Sequence, residues 1–296
     1  MAGAMAVPVC VCLPYLKKDD LYICEKPYTA DFPVDHIPGA TQTNHRFDYQ
    51  DLLFEDAQNT RVNFNLEQHG FCFIKGKTSV TSSTADDDEY IRKVYFPEVE
   101  KILHKALPGY ERIDYLDHLV RIRDASFPEK PGEVTAAAQP AALPHSDFSR
   151  HGGFLAMKQF FPGQEEFFEN RDFDLINVWR VLRGPNNDWP LAVCDYESID
   201  LDADTIDCDV IHEQYVGENI LLFKNPKHKW YYLSNQGIDD LIVFRNVSSK
   251  DQRSAAFHAA FDTGIKTSYP RHSLELRVVA FRPGGEPYEV NAKIPE

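Results

Sequence analysis

The chain has 296 residues and a formal charge of −15 at pH 7, from 31 basic and 46 acidic residues, and 43 % of it is hydrophobic. That hydrophobic content excludes a disordered polyelectrolyte. The acidity weighs against nucleic acid and anionic membrane surfaces, which are both recognised through dense Lys/Arg patches.

The N-terminal apolar stretch precedes Lys17 and Lys18, the reverse of the order in a secretory signal. No apolar run reaches the roughly 20 residues that a membrane helix requires. The six cysteines form no Cys-x-x-Cys pair, so reduced thiols and a cytoplasmic location are expected. The triplet Asn246-Val247-Ser248 matches a glycosylation acceptor, read here as chance. The expected partner is a small molecule, with neither nucleic acid nor membrane, and a homodimer is left open.

Residues 1–60 read as an irregular N-terminal extension, with scattered Pro, Asp and Thr. Val62–Leu66 and Gly70–Ile74 read as short strands. Asp86-Asp87-Asp88-Glu89 suits the positive end of a helix. Behind it, Tyr90, Ile91, Val94, Tyr95, Val99, Ile102, Leu103 and Leu107 recur at helical spacing, which predicts about five amphipathic turns packed on a sheet. Tyr115–Arg123 reads as a strand in which His118 is a core histidine. Residues 127–144, rich in Pro, Gly and Ala, read as a loop or lid. Beyond it lie β-type runs at Gly153–Phe161, Leu175–Leu182, Asn219–Phe223, Trp230–Leu233, Leu241–Val247 and Ser273–Phe281. One early helix and a strand-rich second half predict an α+β, mainly β fold, a sandwich or barrel with supporting helices, in one domain over 1–296.

His145 and Asp147 are two apart, so on a strand both side chains share a face. With His258 they make two imidazoles and one carboxylate, a set that leaves metal positions open as in non-haem Fe(II) oxygenases. His-x-Asp alone is a weak signal in a chain with 11 histidines. The segment from Pro270 to Phe281 strengthens it. Alternation puts Arg271, Ser273, Glu275 and Arg277 on one face and Leu274, Leu276 and Val278 on the other. A charged face on a late strand is costly without partners or a ligand. Arg271 and Ser273 offer a fork and a hydroxyl to a carboxylate. For Arg277 the plainer reading is an ion pair with Glu275 or another acid.

In this order the residues His145-x-Asp147, His258 and Arg271-x-Ser273 resemble the iron- and 2-oxoglutarate-dependent dioxygenase superfamily. More closely, the chain resembles the fungal hydroxylase/desaturase family that includes gibberellin desaturase, aspergillic-acid hydroxylase and the cephalosporin methoxylation protein. The resemblance is carried by Leu66–Phe71, His145–Ser149, Ile176–Pro185, Asp188–Asp195, His228–Tyr232, Phe257–Asp262 and Arg271–Arg277. Two departures, Val181 in place of a proline and the wording of 235–240, lie outside the metal and co-substrate residues.

The resemblance implies a double-stranded β-helix (jelly-roll) core. It implies Fe(II) held by His145, Asp147 and His258, with 2-oxoglutarate on Arg271 and Ser273, Arg277 being a second anchor. O2 is the oxidant, and the reaction is hydroxylation, desaturation or oxidative rearrangement of a small secondary metabolite. Arg121, Phe148, Phe160, Asn177, Trp179 and Arg180 are the substrate-side expectations. Alternation separates Asn177 and Trp179 from Arg180, so the two sets cannot share the cavity. Trp179 also reads as a core aromatic, and Arg180 as a partner of Asp195. Two other classes compete: a redox-neutral or hydrolytic metalloenzyme built on the same triad, and a non-enzymatic β-sandwich binding module.

Overall fold

A computed structural model of the chain describes residues 8–128, 137–250 and 253–284. The first half contributes β1 (Val9–Leu16), β2 (Tyr28–Ala30), β3 (Phe47–Asp56), β4 (Phe71–Lys75) and β5 (Arg112–Ile122). After β6 (His145–Ser146) come β7 (Phe173–Val181), β8 (Leu191–Cys194), β9 (Thr205–Ile211) and β10 (Val216–Leu222). The last four are β11 (Trp230–Tyr232), β12 (Asp240–Ser248), β13 (Phe257–Ala260) and β14 (His272–Phe281).

Nine strands form a mixed sheet in the order β1-β3-β11-β8-β13-β6-β10-β9-β2, and five form an antiparallel sheet in the order β4-β12-β7-β14-β5. The apolar layer between them joins Trp179, Ile242 and Phe244 of the small sheet to Leu191, Val193 and Tyr231 of the large one. This is the expected mainly β, jelly-roll core. The other face of the small sheet is closed by helix. Ile176, Val178, Leu274, Leu276 and Val278 pack there against Ile91, Tyr95, Val99 and Leu103.

The predicted amphipathic helix is present as Asp88–Tyr90, a wider turn Ile91–Tyr95 and Phe96–Ala106. Asp87 accepts from Tyr90 N at 3.0 Å, the N-cap bond that the acidic run implies. Pro97 cannot donate to the carbonyl one turn back and its ring crowds that carbonyl. The widened turn just before it relieves the clash.

Three expectations are corrected. Residues 1–60 carry β1, β2 and β3 rather than irregular chain. Half of β3 is exposed, including Phe47, Tyr49 and Leu53, while Asp48 and Gln50 lie on its inner face, so its alternation is faint in the sequence. Val62–Leu66 is not a strand: Asn65 accepts from Gln68 N at 2.9 Å and caps a short helix Leu66–His69, which Gly70 ends at φ +82°. Gly153–Phe161 is helix rather than strand, the helix Arg150–Phe160 with Phe161 as its C-cap, started by Ser149 accepting from Gly152 N at 2.9 Å. Its buried residues Gly152, Gly153, Ala156 and Met157 follow helical spacing. A Cβ at Gly152 would sit 1.9 Å from Glu218 O, so only glycine lets the helix lie on β10. Of the expected loop 127–144, residues 129–136 lie outside the described residues; 139–144 carry neither helix nor strand.

Candidate metal and co-substrate site

His145 belongs to β6 and His258 to β13, which pair directly opposite each other. On β13, alternation sends Phe257 and Ala259 to one side and His258, beside Val193 of β8, to the other. Asp147 follows β6 immediately. The nitrogens and the carboxylate oxygen that His145, Asp147 and His258 offer lie within 4.8 Å of one another. His145 Nε2 is 3.3 Å and His258 Nε2 3.5 Å from the same oxygen, Asp147 Oδ1.

His145 Nδ1 is 2.7 Å from Leu143 O, so it carries the proton and leaves Nε2 a lone pair. Burial, then the neighbouring His145, lowers His258 to about 4, which keeps it neutral. Its Nδ1 is buried without a partner among the described residues, and its ring tilts on Phe244 at 4.6 Å. Burial alone would raise the Asp147 carboxyl, but both imidazoles and Arg277 hold it well below the usual range. Two imidazoles and one ionised carboxylate converging on a common centre fit a divalent metal.

Asp147 is oriented from the opposite sheet. Asn177 of β7 donates from Nδ2 to Asp147 Oδ2 at 2.7 Å. Asn246 of β12 donates from Nδ2 to Asn177 Oδ1 at 2.7 Å and accepts from Asp147 N at 3.2 Å. The ring of bonds occupies Oδ2 and leaves Oδ1 to the histidines. Asn246 is the unpaired residue of a bulge, because β12 pairs Arg245 with Ile176 and then Val247 with Leu175. Asn246 was not among the residues expected at the site. Its one visible signal is an asparagine inside an apolar strand. At 2 % exposure it is closed to the glycosylation that its triplet spells.

On β14 the predicted alternation holds: Ser273, Glu275 and Arg277 lie opposite Val181, Trp179 and Asn177 of β7. Arg271 is buried, donates from Nη1 to Trp189 O at 2.8 Å, and lies 5.5 Å above the Trp179 ring. It has no carboxylate in ion-pair reach among the described residues, and its Nε is buried without a partner. Burial, then the charge of Arg121, pushes Arg271 down to about 9. Ser273 Oγ is likewise buried without a partner. Asp188 and Glu275 offset part of its charge, but a buried guanidinium with no salt bridge among the described residues, beside an unused hydroxyl, fits a carboxylate ligand. Burial and the Asp147 charge raise Glu275, between them, to about 7, against the pull of Arg277 and Arg121.

Arg277 is differently engaged. It clasps Asp117 of β5 at 2.6 and 2.7 Å and approaches Asp147 Oδ2 at 4.0 Å. It meets an acid, as the plainer reading had it, but Asp117 rather than Glu275. Three substrate-side expectations are relocated. Arg180 points to the helix-covered face, where it donates to Thr78 Oγ1 and Ile238 O, so it meets neither the cavity nor Asp195. Trp179 is a core aromatic beneath Arg271. Asn177 spends its amide on Asp147 and Asn246. Arg121 donates to Gln139 O at 2.5 Å. His118 bonds Tyr115 Oη at 2.7 Å. Phe148 and Phe160 do face a cavity of about 240 Å³ that opens beside His145 and Asp147.

A second grouping, His69, Asp195 and Glu197, also has its ligand atoms within 4.8 Å. His69 Nδ1 accepts from Asn65 N, and Glu197 accepts from Gln68 Nε2 at 3.1 Å, so these side chains stitch helix Leu66–His69 to the turn after β8. Burial raises the Asp195 carboxyl, which weakens it as a ligand.

Comparison with known proteins agrees with this geometry. The family profile described as "YDMC: Oxidoreductase/YMDC permease-like domain" matches residues 13–281. No helix among the described residues is long and apolar enough to cross a membrane. The Fe(II)/2-oxoglutarate-dependent dioxygenase nvfI of Aspergillus novofumigatus is 30 % identical over 264 residues, 84 % of this chain and 90 % of that protein. The hydroxylase/desaturase CTB9 of Cercospora beticola is 29 % identical over 254 residues, 80 % of this chain and 78 % of that protein. The solved structure of the iron and alpha-ketoglutarate-dependent endoperoxidase NvfI superposes with a TM-score of 0.78 at 24 % identity, covering 93 % of this chain and 98 % of that one. On these matches the chain belongs to the Fe(II)/2-oxoglutarate-dependent dioxygenases of the fungal hydroxylase/desaturase type.

Proposed function

We propose that the protein oxidises a C–H bond of a small secondary metabolite, by hydroxylation, desaturation or oxidative rearrangement. His145, Asp147 and His258 would hold Fe(II), and Arg271 with Ser273 would take the distal carboxylate of 2-oxoglutarate. The observation that carries this reading is the pairing of the converged triad with a buried Arg271 that has no salt bridge, and whose Nε has no partner, among the described residues. A hydrolase or a binding module has no use for that second anion site.

Fe(II) with 2-oxoglutarate and O2 supplies the oxidising power for an unactivated C–H bond. The protein's own residues do the rest. Asn177 and Asn246 aim Asp147, Leu143 fixes the His145 tautomer, and Arg277 with Asp117 braces Asp147 from the far side. Phe148 and Phe160 shield the cavity from water. The six cysteines, all free, favour a reducing compartment, and we place the enzyme in the cytoplasm. A homodimer remains open to test by sizing.

The deciding experiment supplies Fe(II), ascorbate and 2-oxoglutarate and measures succinate. Succinate should form with wild type and fall to background with His145→Ala or Asp147→Ala. Equal succinate from wild type and the triad variants sinks the reading.

A further inference from the structure

The cavity beside the triad is lined in part by an asparagine with a polar atom that no described residue uses. β6 pairs with β10 so that Leu221 faces His145 and Ile220 faces Ser146, where this pairing ends, and alternation along β10 puts Asn219 on the side of Leu221. Residues directly opposite in an antiparallel pair point to the same side. Asn219 therefore stands on the side of a metal ligand, and it lines the cavity. Its Oδ1 is buried with no hydrogen-bond partner among the described residues. A buried polar atom left unpaired costs free energy, so the site is completed only by something that enters. Amide oxygen and nitrogen exchange on a half-turn, and a hydroxyl satisfies either, as acceptor or donor.

The remaining walls define the rest of the ligand. Phe148, Leu155, Phe160 and Tyr215 present apolar and aromatic surface. Tyr215 stacks on His212 at 4.1 Å and is 44 % exposed at the rim. Arg277 and His212 on the wall already have acids: Arg277 holds Asp117, and His212 bonds Asp31 Oδ2. The wall carboxylates are also engaged, Glu218 by Lys26 and Ser149, Asp147 by Asn177. No charge on this wall is left for an ionic substrate. The volume, about 240 Å³, suits a molecule at the small end of usual ligand sites.

We propose that Asn219 positions the substrate by a hydrogen bond to its hydroxyl, and that the substrate is a neutral, flat, largely apolar alcohol or phenol held between Phe160 and Tyr215. This rests on the dioxygenase reading above for the reaction but not for the binding. A hydroxyl anchored beside Asp147 places the carbon atoms near that hydroxyl closest to the metal ligands.

The test is calorimetric titration with three probes: 2-naphthol, naphthalene and 2-naphthoate. It is run on the metal-free protein and, without oxygen, on protein loaded with Fe(II) and 2-oxoglutarate. Wild type should bind 2-naphthol about fivefold to tenfold more tightly than naphthalene or 2-naphthoate, the worth of one neutral hydrogen bond. Asn219→Leu should keep naphthalene binding and lose the preference, whereas Asn219→Asp, which retains an acceptor, should keep it. An undiminished preference in Asn219→Leu overturns the proposal. So does tighter binding of 2-naphthoate, or no binding by any probe. Failure of the iron-loaded protein to bind 2-oxoglutarate, with the hydroxyl preference intact, would instead overturn the dioxygenase reading.

Discussion

Arg271 shows how one residue's environment states its task. It is buried among Trp179, Trp189 O and the repelling Arg121, with no salt bridge to its guanidinium among the described residues, so a carboxylate would relieve it. Arg271→Ala should raise the 2-oxoglutarate concentration for half-saturation by about 10- to 100-fold, the worth of a charged hydrogen bond. Arg271→Lys should recover only part of this, because an ammonium lacks the planar fork. Titration of 2-oxoglutarate into the iron-loaded variants measures both. Glu275 sets a pH dependence. Its native carboxyl keeps its proton up to about 7, while the unfolded one releases it near 4.5. Its contribution to stability is therefore full below pH 4.5 and is lost as pH rises through 7, on the order of 3 kcal/mol. His258 and His45, both held down at about 4, gain stability over the same range, so the loss is read as the difference between wild type and Glu275→Gln in urea unfolding of the metal-free protein at pH 5 and at pH 8. At this scale the sequence was informative where alternation decides direction. Ser273 and Glu275 share a face as read, and Arg180 is separated from Asn177. It was silent on partners: nothing local says that Arg277 meets Asp117, 160 residues away along the chain.

Among the elements, β12 carries the least legible feature. Its bulge presents Asn246 to the Asp147 backbone and to Asn177. Asn246→Ala should weaken iron binding about 10- to 100-fold, as loss of a ligand's supporting bond does, while leaving the triad in place. Iron titration read against the triad variants checks this. The helix Arg150–Phe160 rests on glycines. Gly152→Ala would force a Cβ onto Glu218 O and should destabilise the fold by roughly 1–3 kcal/mol, seen as a lower urea midpoint with an unchanged slope. That helix was misread as strand because its small and aromatic residues lack a clear 3.6 period, and its Ser149 cap shows only once the chain is folded. The helix behind Asp87 was legible because cap, acidic first turn and apolar stripe all agree.

On the scale of the whole molecule, the triad links two elements of the large sheet and is braced by three strands of the small one. Ligand binding should therefore stabilise the entire fold. Saturating metal with 2-oxoglutarate at about 100 times its dissociation constant should add roughly 2.7 kcal/mol, measured as a raised thermal midpoint. Asp147→Ala should abolish the metal-dependent rise. An equal rise in wild type and Asp147→Ala would place the metal elsewhere, with His69, Asp195 and Glu197 the first residues to examine.

By itself the sequence determined the chemistry and most of the strand faces. Residue types and period-two alternation are local properties, so the His-x-Asp pair, the distant His258, the Arg271–Ser273 face and the buried helix stripe could be read from the chain. Only the tertiary structure decided which of these groups are already spent. It assigned Arg277 to Asp117 and Asn177 to Asp147, and it left Arg271, Ser273 and Asn219 with unpaired atoms. Pairing across sheets depends on register, bulges and burial summed over the whole fold, and none of these is encoded at any single position.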